Sequence, residues 1–171
     1  MKHIISVTVE NKFGVLARVS GLFSSRGYNI DSLTVGVTTD PDISRMTIVV
    51  RGDDRIVDQV MKQLDKLIDV IEVRDLPIEH TMSRDLCLLK IRCSDSTKRT
   101  EILELVNIFD AKTIDVGYET LTVQITGTDD KIDAFIKLMK PFGIIETART
   151  GIAAMAREFN DVARYNREWS I

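Results

Sequence analysis

The stretch that decides the fold is HIISVTVENKFGVLARVSGLFSSRG, residues 3–27. Its first part alternates, with Ile5, Val7 and Val9 on one side, which is the period of a half-buried strand. From Val15 the apolar residues recur every three or four positions, as in an amphipathic helix, until Arg26-Gly27 supplies a basic charge and a stop. The sequence therefore predicts a strand over 3–10 that turns directly into a helix.

Residues 28–76 complete a first set of elements. Two β-rich runs, at 28–37 and 45–51, flank a polar turn that contains a proline, which is typical of a hairpin. The pair Asp53-Asp54 then caps an apolar helical stripe, and a further strand over 70–76 closes at Pro77. The predicted order is βαββαβ.

The same order of elements returns in the second half. The polar segment 77–85 begins with proline and is interpreted as a linker. The predicted elements after it are a strand at 86–93, a helical stripe within 102–109, paired strands at 113–118 and 121–127, a helix opened by Asp129-Asp130, and a strand at 144–148. This pattern predicts an α+β protein of two tandem ferredoxin-like βαββαβ domains, residues 1–76 and 86–156, with 157–171 as a tail of unknown role.

Composition and charge narrow the function classes. The 171 residues carry 23 basic and 26 acidic side chains, and 44% of them are hydrophobic, so wholesale disorder is excluded. Neither half has a basic excess, which argues against non-specific nucleic-acid binding. The βαββαβ order also occurs in RNA-recognition domains, but the third strand, SRMTIVVR, lacks the aromatic residues that stack on bases.

The cellular context is inferred from two features. No apolar run approaches the roughly 18 residues of a membrane-spanning helix, and the first residues alternate instead of forming a secretory signal. Two cysteines, Cys87 and Cys93, are too few for a disulfide scaffold and fit a reducing compartment. We therefore expect a cytoplasmic protein that does not bind membranes.

The turn between the first strand and the first helix is the candidate ligand site. The backbone N–H groups at Gly14, Val15 and Leu16 open a helix and carry partial positive charge, which suits a carboxylate. Gly14 lets a ligand approach the backbone, and Asn29 offers both a donor and an acceptor. Together these groups would suit a free α-amino acid. The plain alternatives are a turn glycine and an asparagine that hydrogen-bonds its own backbone.

Other polar residues give weaker signals. His3 and His80 are not tied to a nucleophile and are expected to be solvated, so no catalytic residue is predicted. Cys87 and Cys93 lie on one face of a strand but roughly 20 Å apart, too far to share a metal or a disulfide. The acidic pairs at 53–54 and 129–130 are interpreted as helix caps, and no phosphate-binding loop occurs.

Three stretches carry a resemblance to a known family: NKFGVLARVSGLFSSRGYNIDSLTVG (11–36), SRMTIVV (44–50) and KQLDKLIDV (62–70). They closely resemble the regulatory (small) subunits of bacterial acetolactate synthase, also called acetohydroxyacid synthase. Residues 1–76 are similar to the amino-acid-binding ACT domain of that family, and residues from about 82 to 156 to its C-terminal domain. Residues 160–171 extend past the part that matches.

The resemblance implies a non-catalytic subunit. Such a subunit binds the catalytic large subunit, raises its activity and confers feedback inhibition by valine in branched-chain amino-acid synthesis. Thiamine diphosphate, Mg²⁺ and FAD are then expected on the catalytic partner, and no cofactor on this chain. The family's valine sites lie where the ACT domains of a homodimer meet. The matching positions here are Asn11, Gly14, Val15, Leu16, Asn29 and Ile30.

A second function stays open from the sequence. A free-standing amino-acid sensor could use the same turn and act on a different target. The sequence does not indicate whether leucine or isoleucine also binds, or which surface meets the large subunit.

Overall fold

The computed structural model describes residues 1–157. The chain divides into two compact units. Unit 1 comprises Met1–Met82 together with the described residues from Ile152 onward, and unit 2 is Ser83–Gly151.

Unit 1 has the predicted βαββαβ order. Its elements are β1 (Lys2–Glu10), α1 (Val15–Ser25), β2 (Ile30–Val37), β3 (Ile43–Arg51), α2 (Asp54–Leu64) and β4 (Val70–Asp75). The strands form an antiparallel sheet in the order β2-β3-β1-β4, in which Ile5 of β1 lies opposite Ile48 of β3. Since β1 and β3 are the central strands, β2 and β4 are the two edges.

Burial of one face of this sheet explains the alternation seen in the sequence. Ile5, Val7 and Val9 of β1 are fully buried and pack in one core with apolar residues of both helices, among them Val19 and Val60. The N-cap prediction for α2 is confirmed, because the Asp53 carboxylate accepts a hydrogen bond from the Ile56 N–H at 2.9 Å.

Unit 2 repeats the order. Its elements are β5 (Thr81–Arg92, of which the first two residues belong to unit 1), α3 (Ser96–Ile108), β6 (Lys112–Val116), β7 (Thr120–Gly127), α4 (Asp129–Met139) and β8 (Ile144–Arg149), with strand order β6-β7-β5-β8. Cys87 and Cys93 are free thiols buried in its core. The two tandem ferredoxin-like units of the sequence prediction are confirmed.

The bounds of the structural units differ from the predicted domain bounds at both ends of unit 2. Residues 81–85 were expected in the linker, but β5 already begins at Thr81, and Thr81 and Asp85 are buried. Residues 152–156, expected in the C-terminal domain, belong to unit 1 and contain the short strand β9 (Ala153–Ala156). The linker is thus shorter, and the last described segment returns to the first unit.

The returning segment covers the second face of the unit 1 sheet. Ile152 and Ala154 form a small buried cluster with Ile4, Val49 and Leu76. The Ile152 N–H donates to the Ser32 hydroxyl on β2 at 3.1 Å, and the Arg45 guanidinium donates to the Ala154 carbonyl at 3.4 Å. Small apolar residues at 151–156 therefore complete a core whose other residues lie far away in the sequence.

Two polar residues differ from the sequence expectations. His3, expected to be solvated, has only 14% of its side chain exposed, and its Nε2 lies 3.7 Å from the Asp54 carboxylate. His3 is opposite Val50 of β3 in the sheet, and its imidazole lies beside the first residue of α2. Asp129, expected to cap α4, instead pairs with the Arg149 guanidinium at 2.7 Å, and the N-cap position is Thr128.

The described residues contain neither a membrane-spanning helix nor a metal-ligand cluster. None of the helices within residues 1–157 is long and apolar enough to cross a bilayer. The same residues contain no group of three or more His, Cys, Asp or Glu side chains arranged to hold a metal ion. Residues 158–171, which form most of the predicted tail, lie outside the described residues.

Candidate functional site

The turn between β1 and α1 is built around Gly14. This residue is the N-cap of α1 and has a φ of 82°, in the left-handed region that favours glycine. No side chain caps α1, and its first turn holds no acidic residue. The first N–H groups of a helix have no acceptor within the helix, so α1 presents donors and a partial positive charge at Gly14.

The other helices of the described chain begin differently. Asp53 caps α2, and the Asp95 carboxylate caps α3 by accepting from the Lys98 N–H at 2.8 Å. The first turn of α4 contains Asp129 and Asp130. Within residues 1–157, α1 is therefore the α-helix whose start carries no carboxylate of its own, which leaves it open to an external one.

Four of the predicted site residues lie together at this turn. Asn11 joins the turn to the β2–β3 loop, since its side-chain amide donates to the Pro41 carbonyl at 2.9 Å and its backbone N–H donates to the Asp42 carbonyl at 2.7 Å. Its amide nitrogen is thus engaged, and its carbonyl oxygen is left as an acceptor for a ligand. Val15 is buried, so it can offer only its backbone, and its N–H already makes a long hydrogen bond to the Lys12 carbonyl at 3.4 Å. Leu16 is half-exposed.

Apolar side chains flank the N-terminal end of α1. Phe13 is fully exposed, and Leu16 presents 46% of its surface to solvent. Amino-acid pockets pair a few fixed polar groups with apolar lining, and this end of unit 1 offers both. The neighbouring Lys12 is held by Glu10 at 2.7 Å, and this hydrogen bond raises the pKa of the Lys12 amine.

Asn29 and Ile30 lie at the opposite end of the same sheet. Ile30 is opposite Val50, and Val50 is opposite His3 at the start of β1, whereas the Gly14 turn follows the end of β1 at Glu10. The two ends are separated by about 24 Å at roughly 3.4 Å per residue. A single chain therefore does not bring Asn29 and Gly14 onto one ligand.

Asn29 has a hydrogen-bond partner two residues away in the sequence. Its side-chain amide donates to the Asp31 carboxylate at 3.2 Å, and Asp31 is also paired with Arg51. Both Asn29 and Asp31 are exposed. The Asn29 amide is therefore accessible to a second chain that pairs with the edge of the sheet.

The two edges of the unit 1 sheet are unlike each other. The edge strand β2, IDSLTVGV, holds a single charge in eight residues, and its Val35 and Val37 are exposed. The opposite edge β4 carries Glu72, Arg74 and Asp75 in six residues. Charged side chains protect an edge strand from pairing, so β2 is the edge suited to accept another strand.

Sequence reasoning missed two residues beside Gly14. The Arg18 guanidinium lies next to the turn, since its Nη1 would be 3.3 Å from a β-carbon at Gly14. Its Nη2 is paired with the buried Asp69 carboxylate at 2.7 Å, and the Asp69 carbonyl accepts from the Glu10 N–H at 2.9 Å. The spacing from Gly14 to Arg18 is one helical turn, and helical side chains lean towards the N-terminus, so Arg18 could have been found. Asp69 could not, because its place depends on the whole unit.

Comparisons with known proteins agree with both units. Residues 5–72 match the family model described as the AHAS small subunit-like ACT domain, and residues 84–158 match the model described as the small subunit of acetolactate synthase. The chain is 53% identical over 155 residues to the probable acetolactate synthase small subunit of Methanothermobacter thermautotrophicus, covering 91% of this chain and 92% of that protein. It is 50% identical over 159 residues to the acetolactate synthase small subunit of Aquifex aeolicus, covering 93% and 83%.

A solved structure is similar over nearly the same length. The crystal structure of the acetolactate synthase small subunit from Thermotoga maritima superposes with a TM-score of 0.86 at 42% identity. The match covers 92% of this chain and 98% of that one.

Proposed function

Because this chain belongs to the family of acetolactate synthase small subunits, we propose that it binds the catalytic large subunit, raises its activity and confers feedback inhibition by valine. In this proposal the chain is not itself a catalyst. Thiamine diphosphate, Mg²⁺ and FAD are assigned to the large subunit, and the complex acts in the cytoplasm in branched-chain amino-acid synthesis.

The observation that carries the effector part of the proposal is the start of α1. Its N–H groups have no carboxylate of their own, and Gly14 leaves the backbone accessible. The Asn11 carbonyl oxygen supports binding of an ammonium group, and exposed Phe13 and Leu16 support an apolar side chain. A small branched amino acid such as valine presents these three groups.

Pairing of two chains through β2 would complete the site. In a two-fold dimer the two edge strands run antiparallel, so the start of one lies beside the end of the other. Val37, at the end of β2, is opposite Ser44, which in turn is opposite Val9, near the Gly14 turn. Asn29 and Ile30 of a second copy would then lie at the same end of the joined sheet as Gly14. The register of the sheet thus supports the homodimer and the six predicted valine-binding residues.

Regulation follows if valine prefers one arrangement of this dimer. A ligand held by both chains shifts the balance between arrangements only by the difference in its affinities for them, typically about 1–3 kcal/mol. The large subunit would sense that balance through its contact with the dimer.

The proposal is tested by titration and by reconstitution. Isothermal titration of the purified chain with L-valine should show valine-preferring binding, with L-leucine and glycine as comparison ligands. Added to the large subunit, the chain should raise acetolactate formation and make it sensitive to valine. Valine binding without any effect on the enzyme would favour a free-standing amino-acid sensor. Absence of both valine binding and activation would refute the proposal.

A further inference from the structure

Arg18 places a positive charge beside the proposed carboxylate site. It stands one turn into α1, and its guanidinium reaches back to Gly14, where Nη1 would lie 3.3 Å from an added β-carbon. About half of its side chain, 48%, is exposed. A ligand at the N–H groups of α1 can therefore reach the guanidinium without any change in the buried core.

Asp69 fixes this guanidinium at the turn. The carboxylate of Asp69 has only 10% of its side chain exposed and lies 2.7 Å from Nη2 of Arg18. Among residues 1–157, Asp69 is the one acidic residue within ion-pair distance of Arg18. A guanidinium has several N–H donors in a planar fork, so one edge can bind Asp69 while the other binds a second carboxylate.

We propose that Arg18 is a specificity-determining residue of the effector site, binding the effector's carboxylate through the edge of its guanidinium that faces Gly14, while Asp69 holds the other edge. This inference rests on the proposed function and adds to it the group that distinguishes an amino acid from its uncharged derivatives. A site of helix N–H groups alone would accept a neutral carbonyl oxygen too, whereas a guanidinium favours the charged oxygen.

The test compares L-valine with L-valinamide, which keeps the ammonium and the side chain but replaces the carboxylate by a neutral amide. Isothermal titration gives the dissociation constants of both ligands for the wild-type chain and for Arg18→Met. The Arg18→Met change should weaken valine binding about tenfold and reduce the preference for valine over valinamide by a similar factor. Arg18→Lys, which keeps the charge, should retain part of that preference.

Arg92→Met is the matched control. Arg92 is exposed at the end of β5 in unit 2, so this variant removes the same charge from the unit that does not contain the proposed site. It should bind both ligands like the wild type. Since Arg18→Met leaves Asp69 buried without its partner, the double variant Arg18→Met/Asp69→Asn is measured as well. It should show the same loss of preference for valine over valinamide. Its free energy of unfolding should return towards the wild-type value.

The outcomes distinguish failure of the proposed function from failure of the inference about Arg18. A wild-type chain that does not bind valine refutes the proposed function, and the inference with it. Wild-type binding with an unchanged valine preference in Arg18→Met and in the double variant overturns the inference alone. Equal weakening of both ligands would also overturn it, because a merely structural role of Arg18 would not distinguish acid from amide. If valinamide binds too weakly to measure, valine affinity in Arg18→Lys decides: partial recovery relative to Arg18→Met supports the inference, and no recovery overturns it.

Discussion

Replacing Gly14 with aspartate tests the effector site most directly. The substitution puts a negative charge where the proposal places the ligand's carboxylate, at the uncapped start of α1. It also puts a β-carbon on a residue with a φ of 82° and 3.3 Å from the Arg18 guanidinium. The first effect acts on affinity, and the second acts on stability.

The stability cost of Gly14→Asp should be small. A residue with a β-carbon in the left-handed region costs about 1–2 kcal/mol, and aspartate is among the residues that tolerate this region best. At 3.3 Å the Arg18 guanidinium has to shift by only a few tenths of an ångström, so its ion pair with Asp69 can remain. For a chain of this size the cost lowers Tm by no more than roughly 8 °C. The variant should remain folded.

The cost in valine affinity should be larger. Loss of a charge-assisted hydrogen bond amounts to about 1.5–3 kcal/mol, or roughly ten- to a hundredfold in the dissociation constant, and repulsion between two carboxylates adds to it. Titration with L-valine measures this loss, and reconstitution with the large subunit should show activation retained with valine inhibition gone. Loss of activation together with valine response would instead indicate misfolding.

Gly21→Asp supplies the control for position. Gly21 lies in the middle of α1, and a β-carbon there would have no atom within 4 Å. The same substitution on the same helix should leave valine binding unchanged. If Gly14→Asp binds valine like the wild type, or if Gly21→Asp loses as much affinity, the start of α1 is not the effector site.

Three further predictions concern other residues of the two units. Asn29→His should weaken valine binding at an unchanged Tm, and unchanged titration curves would remove Asn29 from the site. Arg149→Met should lower the free energy of unfolding by about 3 kcal/mol in urea titrations, because it leaves Asp85, which is 2% exposed, without its cation. Adding Asp85→Asn to this variant should recover part of the loss. A wild-type urea midpoint for Arg149→Met would contradict this prediction. Burial raises the pKa of the Asp75 carboxyl, although the nearby His3 lowers it, so ionised Asp75 destabilises the fold. Asp75→Asn should therefore raise Tm at pH 7. The gain should vanish below about pH 3.8, where the carboxyl is protonated in the folded and the unfolded state. A gain that persists in acid would show that the charge is not the cause.

The repeated βαββαβ order could be predicted because it is written in local patterns. Alternation in β1 and helical spacing from Val15 both follow from which side of an element is buried. The N-cap at Asp53 is equally local, since the carboxylate and the N–H it binds are three residues apart.

What the sequence could not provide depends on distant partners. Residues 81–85 look like a linker because they are polar, yet Asp85 is buried where Arg149 pairs with it. The packing of residues 152–156 likewise depends on Ile4 and Val49, which lie more than 100 residues earlier in the sequence. Nothing local indicates such partners.

The candidate site shows the same division. The N–H groups at Gly14 are a local property and were found, whereas the distance from Gly14 to Asn29 is set by strand order and register. Two residues that belong to one motif in the sequence thus lie at opposite ends of a sheet. Only a second chain can bring these two residue types together at one site.

The return of residues 152–156 to unit 1 has a consequence for how the protein is made. The ribosome releases β1 to β4 first, but the segment that covers the second face of their sheet emerges only after all of unit 2 has been synthesised. At roughly 5–20 residues per second, this face stays uncovered for several seconds. Ile4 and Val49 are then open to chaperones or to other nascent chains, so the first domain begun is completed last.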